Sequence, residues 1–336
     1  RPIKNNITRR GGRTAAWAAC IVLAVLLGVR FVASPLVASL YYQPNEKGFG
    51  TSIEGEPDTE CEAIALDLTA LYGLTAPGNT VNSVTARPEG FGRYTLTYEL
   101  RDWLTGETDQ ISGTLDASQT GGWVRTFGSN FALATMDNSA AQGRLTDSSN
   151  GQAVADYLAE LPATSYVAAW LHFPEDLSTG ELFALEERYD WKEGFTFLWA
   201  GVRSGEELLP GLVGFTMSGA PFNSIAPGWE DYPMFSWYQM LAEGKYYSGA
   251  AYEQHFLSML SFIAGRPQAE NALAWGQNFS AVLDYVEEHG VQVCGVLVYA
   301  EAPDLVQMWE RGDIDGISIS TVLPSRYSAE GGQYSW

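Results

Sequence analysis

The sequence predicts an α+β protein with a single N-terminal transmembrane helix, a small domain holding an α-helix and a β-hairpin, and a larger α+β domain with duplicated βαβ units. Three observations predict it. Ala15 to Tyr42 is an apolar run whose only charge is Arg30. The stretch GRYTLTYELRDW alternates apolar and polar residues with the two-residue period of a half-buried strand. Strand, short helix, strand then occurs twice in the same order, once from Tyr166 and once from Val291.

The leader comes first. The first forty residues contain Arg1, Lys4, Arg9, Arg10, Arg13 and Arg30 and no acid, whereas all 40 acidic residues lie downstream. Such asymmetry indicates two environments. A bilayer core is spanned by about 20 mainly apolar residues, and Ala15–Val29 with Phe31–Leu40 supply them. A charge at the bilayer centre costs roughly 2.5–3.5 kcal/mol, and Arg30 lies past the midpoint. Basic residues before the run put the N-terminus in the cytoplasm and the acidic bulk outside, in a single-pass protein of the cell membrane. A signal peptide cleaved after Ala33 or Ala38 is the rival reading, and a core helix fits poorly because the run is apolar all round. The expected organisation is a basic cytoplasmic stub at 1–13, the span at 14–42, an N-terminal domain at 43–125, a linker at 126–151, a second domain at 152–325 and a tail at 326–336. The chain opens on Arg1 rather than Met, so the stub is expected to be truncated.

In the N-terminal domain, Cys61, Ile64, Leu68 and Leu71 recur at three- and four-residue spacing and predict a helix opening at Asp58 and ending by Gly73 and Pro77. Tyr94, Leu96, Tyr98 and Leu100 form the inner face of one strand; LTGET turns the chain, and Ile111, Gly113 and Leu115 continue on the return strand. Gly121 to Gly151 reads as loop. In the second domain SYVAAWLHF, FTFLWAGV, LVGFTMS and VQVCGVLVY are apolar runs suited to strands buried on both faces. Ser178 and Glu181 have capping-box spacing, and Pro303 and Gly312 bracket a helix before the strand GISISTV. Two such units in one sheet give a ferredoxin-like sandwich. A helical insertion lies between them, with Phe256, Met259, Leu260 and Ile263 as one stripe and Leu273, Phe279, Val282 and Val286 as another.

No catalytic or phosphate-binding motif is found, and the three histidines, His172, His255 and His289, share no ligand spacing. The chain therefore does not read as an enzyme, and no cofactor is expected. Asp313 and Asp315 in RGDIDG lack the remaining ligands of a calcium loop and read as a turn. The acidic downstream charge argues against nucleic-acid binding. Trp229, Tyr232, Trp237, Tyr238, Tyr246 and Tyr247 are amphipathic aromatics interspersed with Gly and Pro, which suits either a groove for a peptide or glycan or a packed core. Cys61 and Cys294 are candidates for a disulfide, or equally two separate buried thiols.

The order of span, YYQP, helix, GFGRYTLTYEL, ELPATSYVAAWLHFPEDLSTGELFAL and VQVCGVLVYAEAPDLVQMWERGDIDGISIS resembles the membrane-bound sigma factor regulators of Firmicutes, anti-sigma proteins with N- and C-terminal regulator domains. The resemblance implies an extracytoplasmic sensor acting through one helix on a cytoplasmic segment that restrains an extracytoplasmic-function sigma factor. About thirteen residues before the span are too few for a sigma-binding domain. The contact is thus expected from missing upstream residues or from a second membrane subunit. The alternative is an anchored or secreted receptor for an envelope glycan or peptide.

Overall fold

The computed structural model describes residues 17–34, 36, 40–51, 59–103, 108–119, 121–127, 150–190, 194–205, 213–217, 227, 231–236, 248–273 and 277–328. The leader is α-helical over residues 17–28 and widens into a π-helical turn at Val29–Ala33. No helix among the described residues is long and apolar enough to cross a membrane, which corrects the expectation of a single N-terminal transmembrane helix. The reason lies in the backbone. Among the described residues the regular α-helix continues no further than residue 28. The π-turn then shifts the register at the position of Arg30. The apolar count is sufficient, but it is not strung along one regular α-helix.

A two-stranded antiparallel ribbon, β1 (Lys47–Thr51) and β2 (Thr59–Glu62), leads into α1 (Ala63–Thr75). The expected helix start near Asp58 is corrected: Cys61 stands on β2, and Asp58 lies outside the described residues. No side chain caps α1. Its first two N–H groups instead donate to the carbonyls of Glu46 (2.9 Å, from Ala63) and Pro44 (3.0 Å, from Ile64), so the preceding segment acts as the cap. The helix covers an antiparallel meander in the order β3 (Asn79–Gly90), β4 (Arg93–Asp102), β5 (Thr108–Asp116) and β6 (Trp123–Phe127). The two-residue turn between β3 and β4 is Phe91–Gly92, with φ of 53° and 77°, as a tight hairpin of positive φ requires.

After α2 (Gly151–Glu160) come β7 (Tyr166–Ser178), α3 (Thr179–Asp190), β8 (Thr196–Val202) and β9 (Val213–Thr216). Then follow α4 (Gly249–Ala264), α5 (Pro267–Leu273), α6 (Phe279–His289), β10 (Gln292–Glu301), α7 (Ala302–Arg311) and β11 (Gly316–Leu323). The five strands lie in the order β11-β7-β10-β8-β9, every neighbour antiparallel. β7 and β8 therefore run parallel with β10 between them, and β10 and β11 run parallel with β7 between them. This is the split βαβ arrangement of a ferredoxin-like fold, extended by β9 at one edge. Val167, Ala169 and Leu171 face the main core; Tyr166, Ala168 and Trp170 face a second cluster with Trp199, Leu297 and Tyr299. Burial on both faces is what makes these strands apolar throughout.

Local signals close the elements. The capping box forms at α3: the Ser178 N–H donates to Glu181 Oε2 at 2.8 Å, and the Glu181 N–H returns to Ser178 Oγ at 3.3 Å. Gly312 ends α7 in the left-handed region. At the start of α4, Gly249 lies against the backbone of α3. A Cβ there would come within 2.6 Å of Gly180 Cα and 2.8 Å of the Thr179 carbonyl. We expect Gly249→Ala to lower stability by about 1–3 kcal/mol through overpacking, read as an earlier chemical-denaturation midpoint with an unchanged slope.

Candidate functional site

The insertion α4–α6 places itself against α1, so the two halves of the chain meet along buried surface, and one hydrophobic cluster runs through both. Polar ties among the described residues cross this junction as well. Gly121 N–H donates to the Asn271 carbonyl at 2.7 Å, and Trp199 Nε1 donates to the Gly73 carbonyl at 2.9 Å. Another is charged. Arg266, in the turn between α4 and α5, donates from Nε to Asp67 Oδ1 at 2.5 Å and from a terminal nitrogen to Oδ2 at 3.1 Å.

Asp67 lies in the middle of the apolar stretch AIALDLTAL on α1 and is fully buried. Tyr42, just beyond the leader, donates its hydroxyl to the same carboxylate at 2.5 Å. The Phe262 ring supports the guanidinium from 5.3 Å. Burial pushes the Asp67 carboxyl up from its ordinary value, while Arg266 and then Tyr42 pull it back. Burial also penalises the Arg266 charge, but the carboxylate outweighs this and raises the guanidinium. The phenol of Tyr42 is held well above its usual value by burial and by the adjacent carboxylate. The bidentate contact keeps the pair ionic.

The leader and the stretch that follows it are tied in further. Ser34 Oγ accepts from the Phe91 N–H at 2.9 Å, at the GFG turn, and Asn45 Nδ2 donates to the Ala86 carbonyl at 2.5 Å. A continuous path of contacts thus runs from the end of the leader through Tyr42 and Asp67 to Arg266. This arrangement performs no bond chemistry. It holds three segments in one register, and removing any member strands a polar or charged group.

Beside it lies a cavity lined from both halves by Thr69, Tyr72 and Gly73 of α1, Asn79–Val81 of β3 and Trp103, and by Thr216, Phe235, Ser236, His255 and Met259. His255 is buried on α4, its Nδ1 within 2.8 Å of the Met234 carbonyl, and burial lowers its pKa to about 4.

Of the six aromatic groove candidates, Trp229, Trp237, Tyr238, Tyr246 and Tyr247 lie outside the described residues. Tyr232 packs edge-on to Phe262 at 5.2 Å. Cys61 lies on β2, and Cys294 lies on β10, where its thiol reaches the Gly201 carbonyl and is pushed up to about 11 by burial. Asp313 accepts from Arg188 and Tyr189, and Asp315 pairs with His172, so the RGDIDG turn is held by ordinary polar contacts. No group of three metal-binding side chains occurs among the described residues.

Residues 158–320 match the family model described as sigma factor regulator, C-terminal. That stretch is similar to the C-terminal domain of sigma factor regulators. The matched stretch runs from Leu158 on α2 to Ser320 within β11 and takes in β7, β8, β9 and β10, the first part of β11, the insertion and Arg266. The description of that family is one of regulation, with a sigma factor as its object. Comparison with curated proteins and with solved structures finds no match. Of the junction, sequence reasoning missed Tyr42, Asp67 and Arg266. The available signal was Asp67 itself, a charge flanked by Leu66 and Leu68 on a helix whose other residues up to Leu71 are apolar except Thr69.

Two outcomes test the junction. Arg266→Met should cost about 3–5 kcal/mol because it leaves Asp67 buried without its cation, whereas the double variant Asp67→Leu, Arg266→Met should recover most of that loss; urea denaturation of the four proteins of the cycle measures it. For His255, both states are neutral above pH 6.5. As pH falls, the unfolded chain binds the proton near 6.5 and the folded one only near 4, so stability is complete above 6.5 and declines towards 4. Between pH 7.5 and 4.5 the native chain should lose about 2–3 kcal/mol that a His255→Gln variant does not lose, measured as the difference between their denaturation midpoints.

Proposed function

We propose that this protein is a membrane-associated anti-sigma factor in which the regulator domain controls an extracytoplasmic-function sigma factor, and in which the Tyr42–Asp67–Arg266 path couples that domain to the leader. The observation that carries the reading is the family match over residues 158–320. The path adds the physical means, since a regulator must transmit its state between distant segments, and here one ion pair joins residues 199 positions apart. Membrane association is supported by the exposed apolar side chains of Trp17, Leu23, Leu26, Phe31 and Leu36 and by the basic residues that precede them in sequence. Such side chains gain roughly 25 cal/mol for each Å² removed from water. Placement of the bulk outside the cytoplasm rested on a spanning helix and is not carried further.

Transcription tests the reading. Deleting the gene should raise, several-fold, transcripts whose promoters share one recognition sequence. Re-expression of the native chain should restore the basal level, and the sigma factor that reads those promoters should cross-link to the protein. Unchanged transcripts together with no cross-linked sigma factor would overturn it.

A further inference from the structure

We propose that the cavity between α1–β3 and α4–β9 is a binding site for a small uncharged hydrogen-bond donor with an apolar remainder, the chemistry of a short-chain alcohol. The walls set the class. Tyr72, Trp103, Phe235 and Met259 provide apolar surface, and among the described residues no Asp, Glu, Lys or Arg lines the space. A charged ligand would be desolvated there without a counter-ion. His255 does not supply one, because burial keeps it neutral at physiological pH.

The polar groups set the hydrogen-bonding sense. The Tyr72 hydroxyl meets that of Tyr98 at 2.7 Å, Trp103 Nε1 donates to Thr80, and His255 Nδ1 lies against the Met234 carbonyl. Asn79 is 6 % exposed and donates its Nδ2 to the Pro77 carbonyl at 3.3 Å. Its Oδ1 is buried and has no hydrogen-bond partner among the described residues. A buried acceptor in that state favours any occupant that donates. Size sets the limit. The enclosed space is about 50 Å³, compared with the roughly 150 Å³ of an apolar cavity that takes benzene, so what fits wholly inside it is smaller than an aromatic ring. Water satisfies Asn79 but leaves the aromatic walls wet, and replacing poorly ordered water by an apolar group that keeps the hydrogen bond gains affinity.

The site stands apart from the sigma-factor reading, and its test needs no transcription. The ¹⁵N-labelled 336-residue chain is titrated with 2-propanol and, separately, with acetone, which has the same number of non-hydrogen atoms and a similar size but cannot donate. The Trp103 indole N–H, assigned with Trp103→Phe, should shift saturably with a dissociation constant on the order of millimolar, as expected for four non-hydrogen atoms. Acetone should bind at least about tenfold more weakly, the Trp309 indole should not move, and Asn79→Leu should abolish the effect. If that variant does not fold, the comparison of 2-propanol with acetone on the native chain decides alone. A shift that never saturates means that the cavity holds only water, and equal binding of the two molecules means that Asn79 does not select a donor; either overturns the proposal.

Discussion

Asp67 is a carboxylate in the middle of an apolar helix, and burial there is tolerated only with a cation held against it. Arg266 provides that cation from the other half of the chain and reaches both oxygens, and Tyr42 donates to one of them, Oδ2. Three otherwise separate segments are fixed by one requirement: the stretch after the leader, the first long helix and the turn of the insertion. A buried ion pair adds little stability over apolar side chains of similar volume. What it adds is a single permitted register, since α1 shifted by one turn would bury the carboxylate away from both partners.

The fold explains why Arg266 can reach. A bare βαββαβ unit needs only a short connection between its second and third strands. In this chain the connection carries β9 and three helices, and these fill the space between the five-stranded sheet and α1. Gly73 lets the helices approach closely, because a Cβ at that position would sit 3.0 Å from Met259 Sδ. The insertion thus belongs to the regulator domain in sequence and to the junction in space. The family match and the coupling path share a residue for this reason.

The larger domain was legible because its signals are local. Strands buried on both faces appear as continuous apolar runs, and the Ser178–Glu181 box and the Pro303–Gly312 bracket mark helix ends through their own chemistry. β3 was not legible. Asn82, Ser83, Arg87 and Glu89 line an exposed stretch, and register shifts between Asn82 and Thr85 and between Pro88 and Gly90 break the alternation. The start of α1 was misplaced for a related reason. Cys61 fits a helical spacing, but the helix is capped by the carbonyls of Pro44 and Glu46, a signal that lies far upstream. The leader was misread because composition records how many apolar residues are present and not whether the backbone keeps one helical register through Arg30. The junction left half a trace, a lone acid whose cation lies 199 residues on and cannot be paired with it by pattern.

The cavity and the ion pair meet on the same helix. Thr69, Tyr72 and Gly73 line the one, and Asp67, one turn earlier, forms the other. A ligand shifts such a helix only by the difference in its affinity for two placements. For four non-hydrogen atoms the whole binding energy is bounded near about 6 kcal/mol, from a ceiling of about 1.5 kcal/mol per atom. That bound is comparable with the roughly 3–5 kcal/mol at stake when one partner of a buried pair is lost. A small occupant acting on α1 therefore has energy of the right order to bias the junction. It has none to spare for unfolding either half, so the response it can drive is a change of contact between two intact bodies.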